Sequence, residues 1–158
     1  MKDKIVSLDQ LVVIAEDLRS KGKTVAATSG CFDILHAGHV TYLEEAGKKA
    51  DALVLLLNSD SSVRGLKGEE RPIVPQGERA IVVAGLQCVD YVCIFDDPTP
   101  CETIAKFKPD YWIKGADYRD KHIPEEEMLA QYGGELSYVE MVDGCSSTNI
   151  IEKIKRLV

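Results

Sequence analysis

Two histidines that lie three residues apart give the strongest chemical signal in the chain. His36 and His39 belong to the stretch HAGH, which follows the polar turn at residues 29–33. On a helical turn, side chains three apart share one face, so both rings can point at the same place. Imidazole N–H groups can donate hydrogen bonds to phosphoryl oxygens, so the pair indicates phosphate chemistry. The alternatives are a half-buried pair without function and part of a metal site, which would need further ligands.

The elements on either side of this turn would hold the histidines at a ligand-binding position. Residues 24–28 are small or β-branched and predict a buried strand, whereas Val40, Leu43 and Ala46 recur at helical spacing. A turn from strand to helix lies at the carboxyl end of the strand, where open α/β sheets bind their ligands. The free N–H groups at the start of the helix favour an anion at the same place.

The rest of the chain repeats this alternation of strand and helix. Apolar runs predict further strands at residues 52–57, 91–95, 111–114 and 136–141, with helices between them. We therefore expect an α/β fold: a single Rossmann-like domain over residues 1–158, with a five-stranded parallel sheet and helices on both faces. Residues 1–22 would form an N-terminal helical extension packed on this domain.

The composition excludes several classes of protein. The net charge is −7 and no run of basic residues exceeds two, which argues against general nucleic-acid binding. The longest apolar run, residues 52–57, is too short to span a membrane, and the N-terminus has no apolar signal segment, so we expect a cytoplasmic protein. The five cysteines are odd in number and form no C-x-x-C pair, so neither a zinc ribbon nor a disulfide framework is predicted.

Several motifs resemble those of a known enzyme superfamily. GCFD at residues 30–33, followed by HAGH, resembles the signature of the cytidylyltransferase-like nucleotidyltransferases, which join a nucleoside monophosphate to a phosphorylated acceptor and release pyrophosphate. From about Leu8 onward the chain is also similar to one branch of that superfamily, which transfers AMP from ATP to D-glycero-β-D-manno-heptose 1-phosphate in ADP-heptose synthesis. This closer similarity is carried by NSDSSVRGLKG (58–68), RPIVP (71–75), VDYV (89–92), IKGADY (113–118) and DGCSSTNII (143–151).

The resemblance implies a strand order of 3-2-1-4-5 and a set of site residues. Its catalytic residues would be His36, His39 and Lys67. Its acceptor-binding residues would be Asn58, Asp60 and Arg71. Its nucleotide-binding residues would be Gly30, Cys31, Phe32, Asp33, Gly38, Lys114, Gly115, Asp117, Ser146, Ser147 and Thr148. No residue is predicted as a metal ligand, and any Mg²⁺ would be held mainly by the phosphates of ATP and by water.

Some of these positions have a second interpretation. Asp33 is the carboxylate nearest the histidines, but it could instead brace the turn. Residues 61–72 could be a solvated linker, or a lid that brings Lys67 onto phosphates. Ser147 and Thr148 could simply cap the last helix, or could bind an anion together with its free N–H groups. Arg79, in the first turn of a helix predicted at residues 76–87, would lie near the triphosphate or on the surface.

The resemblance also implies partners and leaves two other functions open. The substrates would be ATP, with Mg²⁺, and a sugar 1-phosphate. The chain would be a homo-oligomer, and a separate sugar kinase would act before it, because Met1 precedes a self-contained helix. One alternative is a cytidylyltransferase that acts on glycerol 3-phosphate or a similar polyol phosphate. The other is a nucleotide-binding module without catalysis, against which the intact histidines and Lys67 argue.

Overall fold

A five-stranded parallel sheet forms the centre of the computed structural model, which describes residues 1–158. The strand order is β3-β2-β1-β4-β5, and every neighbouring pair runs parallel, which confirms the predicted fold and order. The strands are β1 (Val25–Gly30), β2 (Ala52–Asn58), β3 (Tyr91–Phe95), β4 (Tyr111–Gly115) and β5 (Glu135–Val139).

Seven helices surround this sheet. The first begins with a capping box, in which the Ser7 side chain accepts from the Gln10 amide and the Gln10 side chain accepts from the Ser7 amide. None of the helices combines the length and the apolar character needed to cross a membrane. They are α1 (Leu8–Ser20), α2 (Ala37–Gly47), α3 (Asp60–Lys67), α4 (Gln76–Ala84), α5 (Cys101–Phe107), α6 (Glu125–Ala130) and α7 (Ser147–Lys155).

Alternation along β2 divides the core into two layers. All seven residues of this strand are buried, as expected for a central parallel strand. Leu53, Leu55 and Leu57 face a cluster that includes residues of α2 and α4. Val54 and Leu56 face the opposite cluster, to which α1, α5 and α6 contribute. Helices therefore cover both faces of the sheet.

The predicted pattern of α2 is only partly correct. Its buried positions are Gly38, Tyr42, Leu43 and Ala46, whereas Val40 is exposed. Val40 precedes Leu43 by three residues, but it lies at the edge of the stripe that Tyr42, Leu43 and Ala46 form, and solvent reaches it. The Tyr42 hydroxyl lies 2.8 Å from Thr28 Oγ1 and 3.2 Å from the Ile113 carbonyl, and these bonds join α2 to β1 and β4.

The N-terminal segment runs along the outer strand of the sheet. Ile5 pairs with Val92 of β3, and the Val6 amide donates to the Val92 carbonyl at 2.9 Å. The Lys4 ammonium donates to the carbonyls of Leu86 and Val89 at 3.2 and 2.5 Å. This short pairing covers the edge of β3 that would otherwise be open.

The central position of β2 leads to a prediction about stability. Leu56 is completely buried, so we expect Leu56→Ala to lower the free energy of unfolding by about 2–5 kcal/mol, measured by urea denaturation. Val13→Ala is the matched control, because the Val13 side chain is 64% exposed. Equal losses for the two variants would contradict this account of the core.

Candidate active site

The turn that follows β1 is built around a buried carboxylate. Asp33 has a fully buried side chain, and its two oxygens accept from Arg71 Nε at 2.9 Å and from the amides of Ile73 and Val74 at 2.8 and 2.9 Å. Burial alone would raise its pKa, but these three hydrogen bonds hold the pKa of Asp33 below its usual range. Asp33 therefore braces the turn, as one of the two sequence interpretations proposed.

The backbone on either side of Asp33 is unusual. Phe32 and Ile34 have φ values of 46° and 49°, in the left-handed region that non-glycine residues rarely adopt. For a β-branched residue such as Ile34 this conformation is costly, and it persists only where the surroundings over-determine it. The bonds to the Asp33 carboxylate supply that restraint next to the histidines.

His36 and His39 stack on each other in front of this turn. Their ring centroids are 3.8 Å apart with an interplanar angle of 23°, and the Phe32 ring packs 5.1 Å from His39. Both Nδ1 atoms are buried and have no hydrogen-bond partner. Burial lowers the pKa of His36, and burial together with the charges of His36 and Lys67 lowers the pKa of His39 to about 4. Both rings are therefore neutral near pH 7 in the free protein.

The start of α7 is tied to the same turn. The Ser147 hydroxyl donates to the carbonyl oxygens of Asp33 and Ile34. Ser146 caps the helix, because its hydroxyl accepts from the Asn149 amide at 3.0 Å. The Ser/Thr cluster thus caps the helix, and Ser146, Ser147 and Thr148 line the same cavity as the histidines.

The carboxyl end of β4 forms the opposite wall of the site. Lys114 Nζ lies 3.6 Å from Glu125 Oε1 and 4.4 Å from the centre of the Tyr118 ring. Gly115 packs closely against the side chains of Asp117 and Met141, which would have to move to admit a Cβ there. The burial of the Glu125 carboxylate was not expected from the sequence. Glu125 belongs to a run of three glutamates, a pattern that is typical of exposed positions.

A cavity of about 370 Å³ lies between these walls. All the predicted catalytic and nucleotide-binding residues line this one cavity. It is lined by His36, His39, Lys67, Gly30, Cys31, Phe32, Asp33, Gly38, Lys114, Gly115, Asp117, Ser146, Ser147 and Thr148, and also by Ser29, Tyr42, Tyr118, Met141, Val142 and Cys145. The sequence identified the polar residues of this cavity but missed most of its apolar lining, because apolar residues near turns carry no distinctive pattern.

The three predicted acceptor-binding residues do not line this cavity. Asn58 is buried, and its amide donates to Ser62 at 2.9 Å. The Asp60 carboxylate pairs with Arg79 at 2.7 Å. Arg71 lies beside a smaller cavity next to the first one. The polar groups of Asn58 and Asp60 thus bond to neighbouring residues at the end of β2, and neither residue lines the cavity.

Arg79 is a structural residue that the sequence placed wrongly. It is neither on the surface nor in the cavity, since its side chain is 1% exposed and lies behind the turn. Its guanidinium donates to the carbonyls of Cys31, Asn58 and Val74 at 2.6, 2.9 and 2.8 Å, in addition to its pair with Asp60. Arg79 thus joins the ends of β1 and β2 to the loop before α4.

The residues present do not form a magnesium site by themselves. No group of three or more His, Cys, Asp or Glu side chains is placed to hold a metal ion. The one carboxylate beside the histidines, Asp33, already accepts three hydrogen bonds. A cation at this site would need ligands supplied by a bound substrate.

Comparison with known proteins agrees with this geometry. The model of the cytidylyltransferase-like family matches residues 27–153, and the chain belongs to that family of nucleotidyltransferases. The family resemblance inferred from the GCFD and HAGH motifs is thereby confirmed.

Individual relatives extend the comparison. The chain is 50% identical over 151 residues to the bifunctional protein HldE of Pelobacter propionicus and 49% identical over 153 residues to that of Geobacter metallireducens. These matches cover 96% and 97% of this chain but only 31% of each relative, so the chain spans about a third of their length. The crystal structure of the lipopolysaccharide core biosynthesis protein from Thermoplasma volcanium GSS1 superposes with a TM-score of 0.63 at 28% identity, covering 77% of this chain and 98% of that one.

The packing around Gly38 predicts a loss of activity. A Cβ at this position would lie 2.7 Å from Cys145 Cβ and 3.0 Å from the His36 ring, so Gly38→Ala must displace the ring or the start of α7. We expect turnover to fall by about tenfold or more, since a displacement of about 1 Å can cost as much as 100-fold. Gly77→Ala is the control, because a Cβ there has no neighbour within 4 Å. Similar turnover in both variants would contradict a fixed position for His36.

The low pKa of His39 predicts how stability depends on pH. Between about pH 6.5 and pH 4 the unfolded chain binds a proton at His39 that the folded protein does not. The free energy of unfolding should therefore be fully retained above pH 6.5 and should fall as the pH drops toward 4. Urea denaturation at pH 7 and pH 5 should show a smaller decrease for His39→Gln than for the wild type. An identical decrease in both would show that His39 titrates normally.

Proposed function

We propose that this protein transfers AMP from ATP to the phosphate of D-glycero-β-D-manno-heptose 1-phosphate, giving ADP-heptose and pyrophosphate. The observation that carries the proposal is the convergence of two neutral histidines, Lys67 and the start of α7 on one cavity. Similarity to HldE proteins over nearly the whole of this chain, and to a lipopolysaccharide core biosynthesis protein, supports a heptose phosphate as the acceptor.

The reaction needs positioning and charge stabilisation more than a strong base. The acceptor phosphate is already anionic, so it can attack the α-phosphorus of ATP in line while the bond to the leaving pyrophosphate breaks. Neutral imidazoles can donate N–H hydrogen bonds to the phosphoryl oxygens as negative charge moves toward the leaving group. His36 and His39 carry this role, and their mutual stacking fixes the direction of both rings.

The residues on the other walls of the cavity would bind the phosphates and the nucleoside of ATP. Lys67 is exposed at the end of α3 and can turn toward phosphate oxygens without losing a partner in the free protein. The N–H groups at the start of α7, with the Thr148 hydroxyl, suit the β- and γ-phosphates. Lys114, Gly115 and Asp117 suit the nucleoside, because they line the cavity at the end of β4, where the Tyr118 ring also lies. ATP would bring Mg²⁺ bound to its own phosphates.

The same proposal implies a place in metabolism. This reaction consumes a phosphorylated acceptor and cannot make one, and we infer that a separate sugar kinase acts before it. Such a reaction would take place in the cytoplasm, where ATP is available, and we propose a homo-oligomer as its assembly.

The experiment that tests the proposal measures pyrophosphate release. ATP and CTP are each combined with heptose 1-phosphate and with glycerol 3-phosphate, in the presence of Mg²⁺. We expect release only with ATP and the heptose phosphate. Release with CTP and glycerol 3-phosphate would show that these are the substrates and that the proposed pair is wrong. Binding of ATP without release in any combination would indicate a nucleotide-binding module that does not catalyse.

His39→Ala is the variant that tests the mechanism. Removing one hydrogen-bond donor to the transition state should lower kcat by about 100-fold or more, with little change in the unfolding midpoint. Glu16→Ala, at an exposed carboxylate on α1, provides a control for the assay. Turnover of the His39 variant close to that of the wild type would remove this residue from the mechanism.

A further inference from the structure

A second cavity of about 240 Å³ opens beside the first one. Lys67 and Thr148 line both cavities, so the two are adjacent at the end where the phosphates would lie. The first cavity is near the lower limit of the roughly 300–1,000 Å³ that a single ligand site usually occupies. A reaction that joins two substrates therefore needs space beyond it, and the second cavity provides that space.

The lining of the second cavity is strongly polar but balanced in charge. Only two of its ten residues are hydrophobic. Its three cationic side chains are matched by three carboxylates: Lys67, Arg71 and Lys155 against Glu69, Glu70 and Glu152. A pyrophosphate group carries several negative charges and would meet three carboxylates here. Neutral hydroxyl groups, in contrast, can donate to carboxylates and accept from cations.

Arg71, which lines this cavity, carries a buried donor that has no partner in the free protein. Arg71 Nε is fixed by Asp33, which leaves Arg71 Nη2 buried and without a hydrogen bond. A buried unpaired donor costs about 1–3 kcal/mol, and a small shift of the 12% exposed guanidinium toward a ligand oxygen would remove that cost. Because the same arginine anchors the turn that carries the histidines, a ligand at Nη2 would be held at a fixed distance from the reacting atoms.

We infer that the second cavity binds the sugar part of the acceptor, with Arg71, Glu70 and Glu152 contacting its hydroxyl groups while its phosphate reaches into the first cavity. This inference rests on the proposed function, and it identifies the residues that select a polyhydroxylated acceptor over a short polyol phosphate. A site that hydrogen-bonds hydroxyl groups discriminates strongly against ligands that lack them, because its polar groups would then remain unpaired.

Alanine substitutions at the carboxylates test the inference. Glu70→Ala and Glu152→Ala should each raise KM for heptose 1-phosphate by about tenfold, the loss expected for one hydrogen bond to a charged group. KM for ATP and the inhibition constant of pyrophosphate should stay within about twofold of the wild type. Glu16→Ala is the matched control, since Glu16 is an exposed carboxylate on α1, away from both cavities.

Each other result has a definite meaning. If KM for ATP or the inhibition constant of pyrophosphate changes instead, the second cavity holds the triphosphate end and the inference is wrong. If no constant changes, the cavity holds neither substrate and the inference is also wrong. If the wild type does not use heptose 1-phosphate, the proposed function fails. Calorimetric titration with that sugar phosphate and with inorganic phosphate then decides the inference, which is overturned unless the two substitutions weaken binding of the sugar phosphate alone.

Discussion

The site depends first on the buried carboxylate of Asp33. This group neutralises Arg71, fixes the amides of residues 73 and 74, and lies within a turn whose two flanking residues have left-handed backbone. Its own carbonyl accepts from Ser147, so the last helix is attached to the same residue. A charged acceptor bonded in a low-dielectric interior gives stronger hydrogen bonds than a neutral one, which is why this one side chain can hold residues 71–74 against the turn.

The protonation state of the two histidines depends on where this turn places them. Burial lowers the pKa of both rings and keeps them uncharged before a ligand arrives, so the positive charge in the cavity comes from its lysines. A phosphate placed next to them would favour the protonated form and raise the pKa of each ring. The hydrogen bonds that the rings donate would therefore strengthen where negative charge collects in the transition state.

The sequence was sufficient for the fold and for most of the polar residues that line the cavity, for reasons that particular residues make clear. The run at β2 and the helical stripes specify a parallel sheet, and the polar turns after β1 and β4 mark its ligand-binding edge. What could not be predicted is the direction of individual side chains at that edge. Asn58 ends β2 and Asp60 follows it, but the Asn58 amide bonds Ser62. The Asp60 carboxylate and the Asn58 carbonyl both accept from Arg79, because a buried guanidinium requires several acceptors.

The pairing of Ile5 and Val6 with β3 has a consequence for how molecules of this protein meet one another. An uncovered outer strand presents a row of unused amides and carbonyls, to which the strand of another molecule can add. Here the chain covers part of that row with its own first residues, and Lys4 places a charge beside it. The first residues thus reduce edge-to-edge aggregation at high concentration, because they occupy part of the hydrogen-bonding edge of β3. This role is separate from catalysis.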